Sequence, residues 1–446
     1  MIGLVNIRSV AQYGEGGFPM GTGCKEALEH FSALAASYGF AAENDDDRIL
    51  SILLPGQSSQ RELGILGHLD VVPEGTGWKY EPFAAIEKNG YVIGRGACDN
   101  KGPVVMALYV LRCMRELGIR LSSNVRLIAG CDEETEMRDV RHYLTKHSAP
   151  AFTLNCDGAW PVCIGEKGIL TADLTLPLPA GRLMAIGGGE ASNMVPASAW
   201  AVIRDAEPEK LNTALRYYSG LTAETQEDCT TLRIRGKAAH CAHPGTGVNA
   251  IRYLVQILCG TKLLTEEETR ALGILLKAMQ DDEGTGLHIR CADPLSGSTT
   301  AVGSMLSLHN GTLRLHINVR FAVTQSADLL KKRLHARCEQ LGLNIENLSF
   351  SPPRLDSPNQ PEIRILLDTC REFLGRRYQP YVSGGGTHSR LFPRSVPFGT
   401  GTLGRPAPNA FGGPHAADEA VSIDGLLQAM KVYITALIRL DRHFSQ

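Results

Sequence analysis

Several classes of protein are excluded by what this 446-residue chain does not have. Acidic and basic side chains nearly cancel, leaving a formal charge of −2, so there is no electrostatic case for binding nucleic acid or an anionic membrane. No apolar run approaches the roughly 20 residues needed to span a bilayer; the most apolar helical candidate, 104–114, is interrupted by Arg112. The opening Met1-Ile-Gly-Leu-Val-Asn-Ile-Arg8 lacks the basic-then-apolar form of a signal peptide. The 12 cysteines contain no Cys-x-x-Cys pair. Scattered singly in a long chain, they read as free thiols of a reducing compartment, and a cytoplasmic location is the expectation. Gly384-Gly-Gly-Thr387 is glycine-rich, but it lacks the Gly-Lys-Ser/Thr ending of a phosphate loop.

What is there describes a soluble globular protein, 43% hydrophobic and 21% charged, and too long for one ordinary core, so two domains are expected. Residues 25–38 place Ala27, Leu28, Phe31, Leu34 and Ala35 at helical spacing, with Gly39 as a stop. Strands are read at 48–54, 63–66, 124–129 and 151–154. Helices are read from Pro103, as first helical residue, to 117, and over 137–146. This alternation gives an α/β domain with a mainly parallel sheet. The texture changes near Gly165-Glu-Lys-Gly168, and Gly, Ser and Pro dominate 177–196. Helices follow over 208–217, 248–259, 265–279 and 329–341, with strands over 169–176, 230–234 and 312–319. The chain is therefore read as 1–167 and 358–446 forming one discontinuous domain, interrupted by an α+β insertion, 168–357. Helices at 362–374 and 423–440 complete the first domain.

Acidic and histidine residues gather where strand-like runs or glycine turns end. Gly64-Ile-Leu-Gly-His68-Leu-Asp70-Val-Val-Pro73 sets His68 and Asp70 two residues apart, on one face of extended backbone. Either His68 is a hydrogen-bonded strand-end residue, or it is a metal ligand oriented by a carboxylate. Gly94-Arg-Gly96-Ala-Cys-Asp99-Asn-Lys-Gly102-Pro103, Cys131-Asp132-Glu133-Glu134, Asn155-Cys-Asp157 and Gly412-Gly-Pro-His415-Ala-Ala-Asp-Glu419 follow. Such a set is the makeup of a two-metal site. Adjacent Glu133 and Glu134 would repel unless something positive lies between them, whereas Asp132 suits a capping role. Cys98, Cys131 and Cys156 neighbour the candidate ligands, and strand alternation turns them away from the site. Trp78 and Phe83 are read as packing residues.

Taken together and in this order, the motifs resemble those of the M20 metallopeptidases, which include aminoacylases, dipeptidases and carboxypeptidases, and are most similar to the bacterial dipeptidase V branch. The resemblance covers nearly the whole chain. It implies a zinc-peptidase-like catalytic domain with an enlarged inserted lid, two divalent ions per chain (zinc first, manganese or cobalt also suiting such ligands), and a monomer acting on small peptides. It implies that Asp99 bridges the ions, that His68 and Asp157 complete one, and that Glu134 and His415 complete the other. Asp70 would hold His68, Glu133 would be the general base, and a cis peptide would join Asp99 and Asn100. In the lid, the Gly236–Ala250 segment implies that His240 stabilises the oxyanion, with His243 a competitor or a loop residue. Asn193 and Arg320 match substrate-contacting positions, a surface salt bridge being the bland alternative for Arg320. Gly385, Gly386, Thr387 and Arg390 would receive the substrate carboxylate. His388 departs from the more usual Tyr there. The expected activity is hydrolysis of dipeptides with a free C-terminus; an N-acyl amino acid deacylase or carboxypeptidase would use the same machinery.

Overall fold

A computed structural model describes residues 1–58, 60–375, 379–400 and 411–446. The chain folds as two compact units. The first comprises Met1–Ile164, Asp356–Tyr381 and Gly386–Gln446; the second comprises Gly165–Leu355 with Val382–Gly385.

The first unit is built on a six-stranded sheet of β1 (Ala42–Asp45), β2 (Ile49–Leu54), β3 (Glu62–His68), β4 (Asn124–Gly130), β5 (Phe152–Asn155) and β6 (Ser395–Pro397). Their spatial order is β1-β2-β4-β3-β5-β6. The pairs β4–β3, β3–β5 and β5–β6 are parallel, and β1 and β2 are added antiparallel at one edge. The parallel strands are apolar runs because they are covered on both faces: Leu63, Ile65, Leu66, Leu127, Ile128 and Leu154 are all buried. Register sets His68 opposite Gly130 and Leu66 opposite Asn155. The carboxyl ends of three neighbouring strands therefore finish within two residues of one another, where sites form in sheets of this kind.

Around the sheet lie α1 (Thr22–Ser37), α2 (Lys101–Glu116), α3 (Arg138–Lys146), α4 (Pro361–Leu374) and α5 (Ile423–Phe444). Helix α2 buries Val104, Ala107, Leu108, Leu111 and Met114, the stripe expected from spacing, and packs beside α5. It begins at Lys101, so Pro103 is its third residue rather than its first. A proline is tolerated there because N–H groups throughout the first turn lack intrahelical partners.

The second unit carries an eight-stranded sheet whose strands, in spatial order, are Leu221–Gln226, Cys229–Arg235, Ser198–Arg204, Leu183–Gly188, Thr300–His309, Thr312–Phe321, Gly168–Pro177 and Asn344–Ser351. Every pairing in it is antiparallel. Helices Ala250–Gly260, Glu266–Ala278 and Ala327–Leu341 bury Leu254, Leu272, Leu275 and Leu334 in one core with Leu174, Leu315 and Ile317 of the sheet. Asn249 starts the first of these by accepting from the Arg252 N–H, so that helix opens at Ala250 rather than at Val248. Thr265 and Glu268 form a reciprocal capping box at the start of the second.

Among the described residues no helix is long and apolar enough to cross a membrane. All twelve cysteines are free, and Cys131 and Cys156 are fully buried.

Candidate metal centre

Each acidic or histidine candidate of the first unit leaves the end of an element. His68 is the last residue of β3. Glu133 and Glu134 follow β4, and Asp157 follows β5. Asp99 stands just before α2, and His415 lies in the segment ahead of α5. The structure brings all six together. His68 Nε2 is 3.1 Å from Asp99 Oδ1 and 3.9 Å from Asp157 Oδ2. His415 Nε2 is 3.2 Å from Asp99 Oδ2 and 3.0 Å from Glu134 Oε1. Asp99 thus turns one oxygen toward each imidazole. The donor atoms of His68, Asp99 and Glu134 lie within 4.8 Å of one another, as do those of His68, Glu133 and Asp157. The Asp99–Asn100 peptide is cis.

The electrostatics of this cluster call for positive charge. Burial and the Asp99 carboxylate push Asp157 up to about 7. Burial and Asp157 raise Glu133 well above the usual carboxylate range, and burial with Asp99 raises Glu134. Burial opposes charge on His415, yet Glu134 and Asp99 lift its imidazolium to about 11. Burial likewise opposes ionisation of Asp99, but the hydrogen bonds from His415 and His68 hold its carboxyl far below the ordinary value. Glu133 Oε1 is buried without a hydrogen-bond partner. A partly buried set of carboxylate oxygens and imidazole nitrogens that is short of positive charge fits divalent cations such as zinc.

Neighbouring polar side chains set the backbone of these segments. His68 Nδ1 lies 3.0 Å from the Asp70 carbonyl oxygen and 3.4 Å from its carboxylate. Carbonyl and carboxylate of Asp70 thus both face the His68 ring, and the same carboxylate accepts the N–H groups of Glu133 at 3.2 Å and Glu134 at 3.0 Å. Asn100 Oδ1 accepts from the His68 N–H at 3.3 Å, and its Nδ2 donates to the Cys156 carbonyl at 3.1 Å. Gly67 makes this approach feasible, since a Cβ there would stand 2.6 Å from Asn100 Oδ1 and 2.7 Å from Cys156 Sγ. Gly67→Ala should push the His68 and Asp157 segments apart and destabilise the protein by about 1–3 kcal/mol, an overpacking cost. Thermal melts and metal content check this; an unchanged melting point would refute it.

Asp132 is buried rather than solvated. Its carboxylate accepts from the Arg138 N–H at 2.7 Å and from the Tyr13 hydroxyl at 2.5 Å, and so shapes the turn into α3. His388 is also buried, with Nε2 3.1 Å from Asp139 Oδ1, so it is an internal stay. Thr387 starts the short His388–Arg390 turn by accepting from the Ser389 N–H at 3.2 Å. Asn155 joins that turn to Asp157: its Nδ2 donates to Thr387 Oγ1, and its Oδ1 accepts from the Asp157 N–H. Arg390 ends that turn and Gly386 precedes it, where a Cβ would stand 2.8 Å from Arg390 Nε. Gly385 falls in the second unit, its N–H donating to Ser383 Oγ at 3.0 Å.

The second unit groups the other candidates. His240 pairs with Met194 in a two-stranded ladder, and the Cys241 N–H donates to the Asn193 carbonyl. Thr300 Oγ1 donates to the Cys241 carbonyl at 2.8 Å, and Thr300 is the strand partner of Arg320. Arg320 is 6% exposed and donates to Asn318 Oδ1 at 2.9 Å, so it is a buried rather than a surface arginine. His243 is an exposed loop residue. Trp78 packs over Arg95 and donates to the Glu74 carbonyl at 2.6 Å.

Sequence reasoning gave no task to Arg95 or Glu419, although both stand inside quoted motifs. The structure joins them in a fully buried ion pair of 2.7 Å.

Carboxylates and imidazoles converging at the carboxyl ends of a largely parallel sheet are the equipment of a metal-dependent hydrolase. The chain belongs to peptidase family M20/M25/M40, which residues 64–439 match. It is 30% identical over 445 residues to YtjP of Bacillus subtilis, a protein with a provisional dipeptidase name, covering 96% of this chain and 92% of that one. It is 27% identical to the Beta-Ala-Xaa dipeptidase of Lactobacillus delbrueckii subsp. lactis, covering 95% and 91%. Among solved structures, its fold is similar to human carnosine dipeptidase 1, with a TM-score of 0.59 at 14% identity over 99% of this chain and 94% of that one. It is likewise similar to the M20 family metallo-carboxypeptidase Sso-CP2 of Sulfolobus solfataricus, with a TM-score of 0.58 at 16% identity over 99% and 98%.

Proposed function

We propose that this protein is a metal-dependent dipeptidase that hydrolyses dipeptides with a free C-terminus and holds two divalent ions, zinc in the first instance. The observation that carries the reading is Asp99, whose two oxygens face His68 and His415 at 3.1 and 3.2 Å. A carboxylate so placed can serve both ions. His68 and Asp157 would complete one, and Glu134 and His415 the other. Ions held there supply Lewis acidity to the scissile carbonyl and make a water molecule acidic.

The remaining chemistry belongs to the chain's own side chains. Glu133 takes the proton of the attacking water through its unpartnered Oε1 and returns it to the leaving amine. Asp70 fixes His68 through its carbonyl and Glu133 through its carboxylate, so ligand and base share one support. In the second unit, Asn193, His240 and Arg320 are assigned to the substrate, His240 to the developing oxyanion and Arg320 to a carboxylate. Gly385, Gly386, Thr387 and Arg390 are assigned to the same carboxylate by backbone and guanidinium donors. The enlarged second unit supports a monomer, and the free thiols support a cytoplasmic location.

The dipeptidase names of the curated relatives favour peptides over N-acyl amino acids. Metal-depleted protein resupplied with zinc or manganese should cleave a dipeptide panel and leave N-acetyl amino acids largely untouched. Cleavage of the acetylated compounds alone would replace the dipeptidase with a deacylase.

A further inference from the structure

We propose that the buried Arg95–Glu419 pair is a positioning device that sets the spacing of Asp99 and His415 for a divalent cation. The proposal rests on the reading of those two residues as ligands. Glu419 leaves the His415 segment, and its Oε1 accepts the N–H groups of Cys98 at 2.9 Å and Asp99 at 3.0 Å. Arg95 leaves the Asp99 segment, and its Nη2 donates to the His415 carbonyl at 3.3 Å and to the Glu74 carbonyl at 3.1 Å. The two arms close on each other through Arg95 Nη1 and Glu419 Oε2 at 2.7 Å. Each segment therefore grips the backbone of the other, beside the residue that would bind metal.

Both side chains are 1% exposed. A buried ion pair is a poor way to gain stability, because desolvation cancels most of its attraction, so stability alone does not account for one here. A guanidinium fork, by contrast, can reach a carboxylate and two carbonyls at fixed angles, which an ammonium on a flexible stem cannot. The clasp holds two ligands from distant parts of the chain at the separation a cation needs, and groups that orient ligands in this way govern affinity.

The test is the dissociation constant for zinc alone, measured by chelator competition on the metal-depleted full-length protein with its folded fraction followed by circular dichroism. Glu419→Gln and Arg95→Lys should each weaken zinc binding about 10–100-fold. Turnover of Arg95→Lys should recover as zinc is raised. Glu62→Gln is the structural control: it breaks the Arg126–Glu62 pair, bonded at 2.7 and 2.9 Å, at the far end of β3. It should lower the melting point and leave the zinc constant unchanged. Asp99→Asn tests the underlying reading, and zinc binding that survives it removes the ligand assignment and this proposal together. Zinc binding lost in Asp99→Asn but kept in both clasp variants overturns the clasp alone. Failure of both clasp variants to fold also overturns it, by making the pair an element of folding.

Discussion

Glu133→Gln should lower turnover about 10²–10⁴-fold and leave metal content and melting point close to those of the unaltered protein. Glutamine preserves the volume and the carbonyl oxygen but cannot accept a proton. Glu133 is held by its backbone, through Asp70, and its Oε1 has no partner, so little structural support goes with the charge. The variant should even gain slightly in metal-free stability, because burial and Asp157 disfavour the Glu133 carboxylate there. Steady-state kinetics with metal analysis decides the matter. A fall in metal content matching the fall in turnover would make Glu133 a ligand instead of a base. Unchanged turnover would remove it from the mechanism.

Removing the metals should lower the melting point, and the gap between loaded and stripped protein should widen as pH rises from about 5 to about 8. The direction follows from the shifts. Asp157 is raised from 3.8 to about 7, so the stability it contributes is present below pH 3.8 and is lost as pH climbs through about 7. Glu133 and Glu134, also raised, act in the same sense. His415 is raised from 6.5 to about 11, so its contribution is full below pH 6.5 and fades as pH rises toward about 11. Asp99 is depressed, and its contribution is lost only in strong acid. The stripped protein therefore weakens across this range, while bound cations replace the departing protons. A ligand in thousand-fold excess over its dissociation constant adds about 4 kcal/mol. Thermal melts at three pH values, with and without a chelator, measure the gap, and a gap that narrows with pH would contradict the assignment of these carboxylates to metal.

Elements with strong local signals were legible in the sequence. The stripe Val104, Ala107, Leu108, Leu111 and Met114 marks α2, and Leu63–Leu66 marks β3. In the second unit, Leu183–Gly188 hides its strand behind terminal glycines. Asn344–Ser351 is an edge strand in which only Ile345, Leu348 and Phe350 pack against the core, and a break in its register interrupts the alternation that would mark it. Around the candidate metal centre, His68, Asp99, Glu133, Glu134, Asp157 and His415 stand out because each sits in a short motif at the end of an element. The burial of His388 on Asp139, and the engagement of the Asp70 carboxylate with Glu133 and Glu134, left no such trace.

Local sequence carries the chemistry available to this protein: which oxygens and nitrogens it can offer a metal, where the strongly patterned strands and helices lie, and hence the family. Those properties are written in neighbouring residues, through spacing and side-chain type. Which distant groups meet is settled only when the chain is folded. That Arg95 clasps Glu419, that Asp99 faces both His68 and His415, and that Asn100 ties His68 to Cys156 all depend on the convergence of loops far apart in the chain. Such pairings are settled by packing and by the need to satisfy every buried polar group, and no local pattern encodes them.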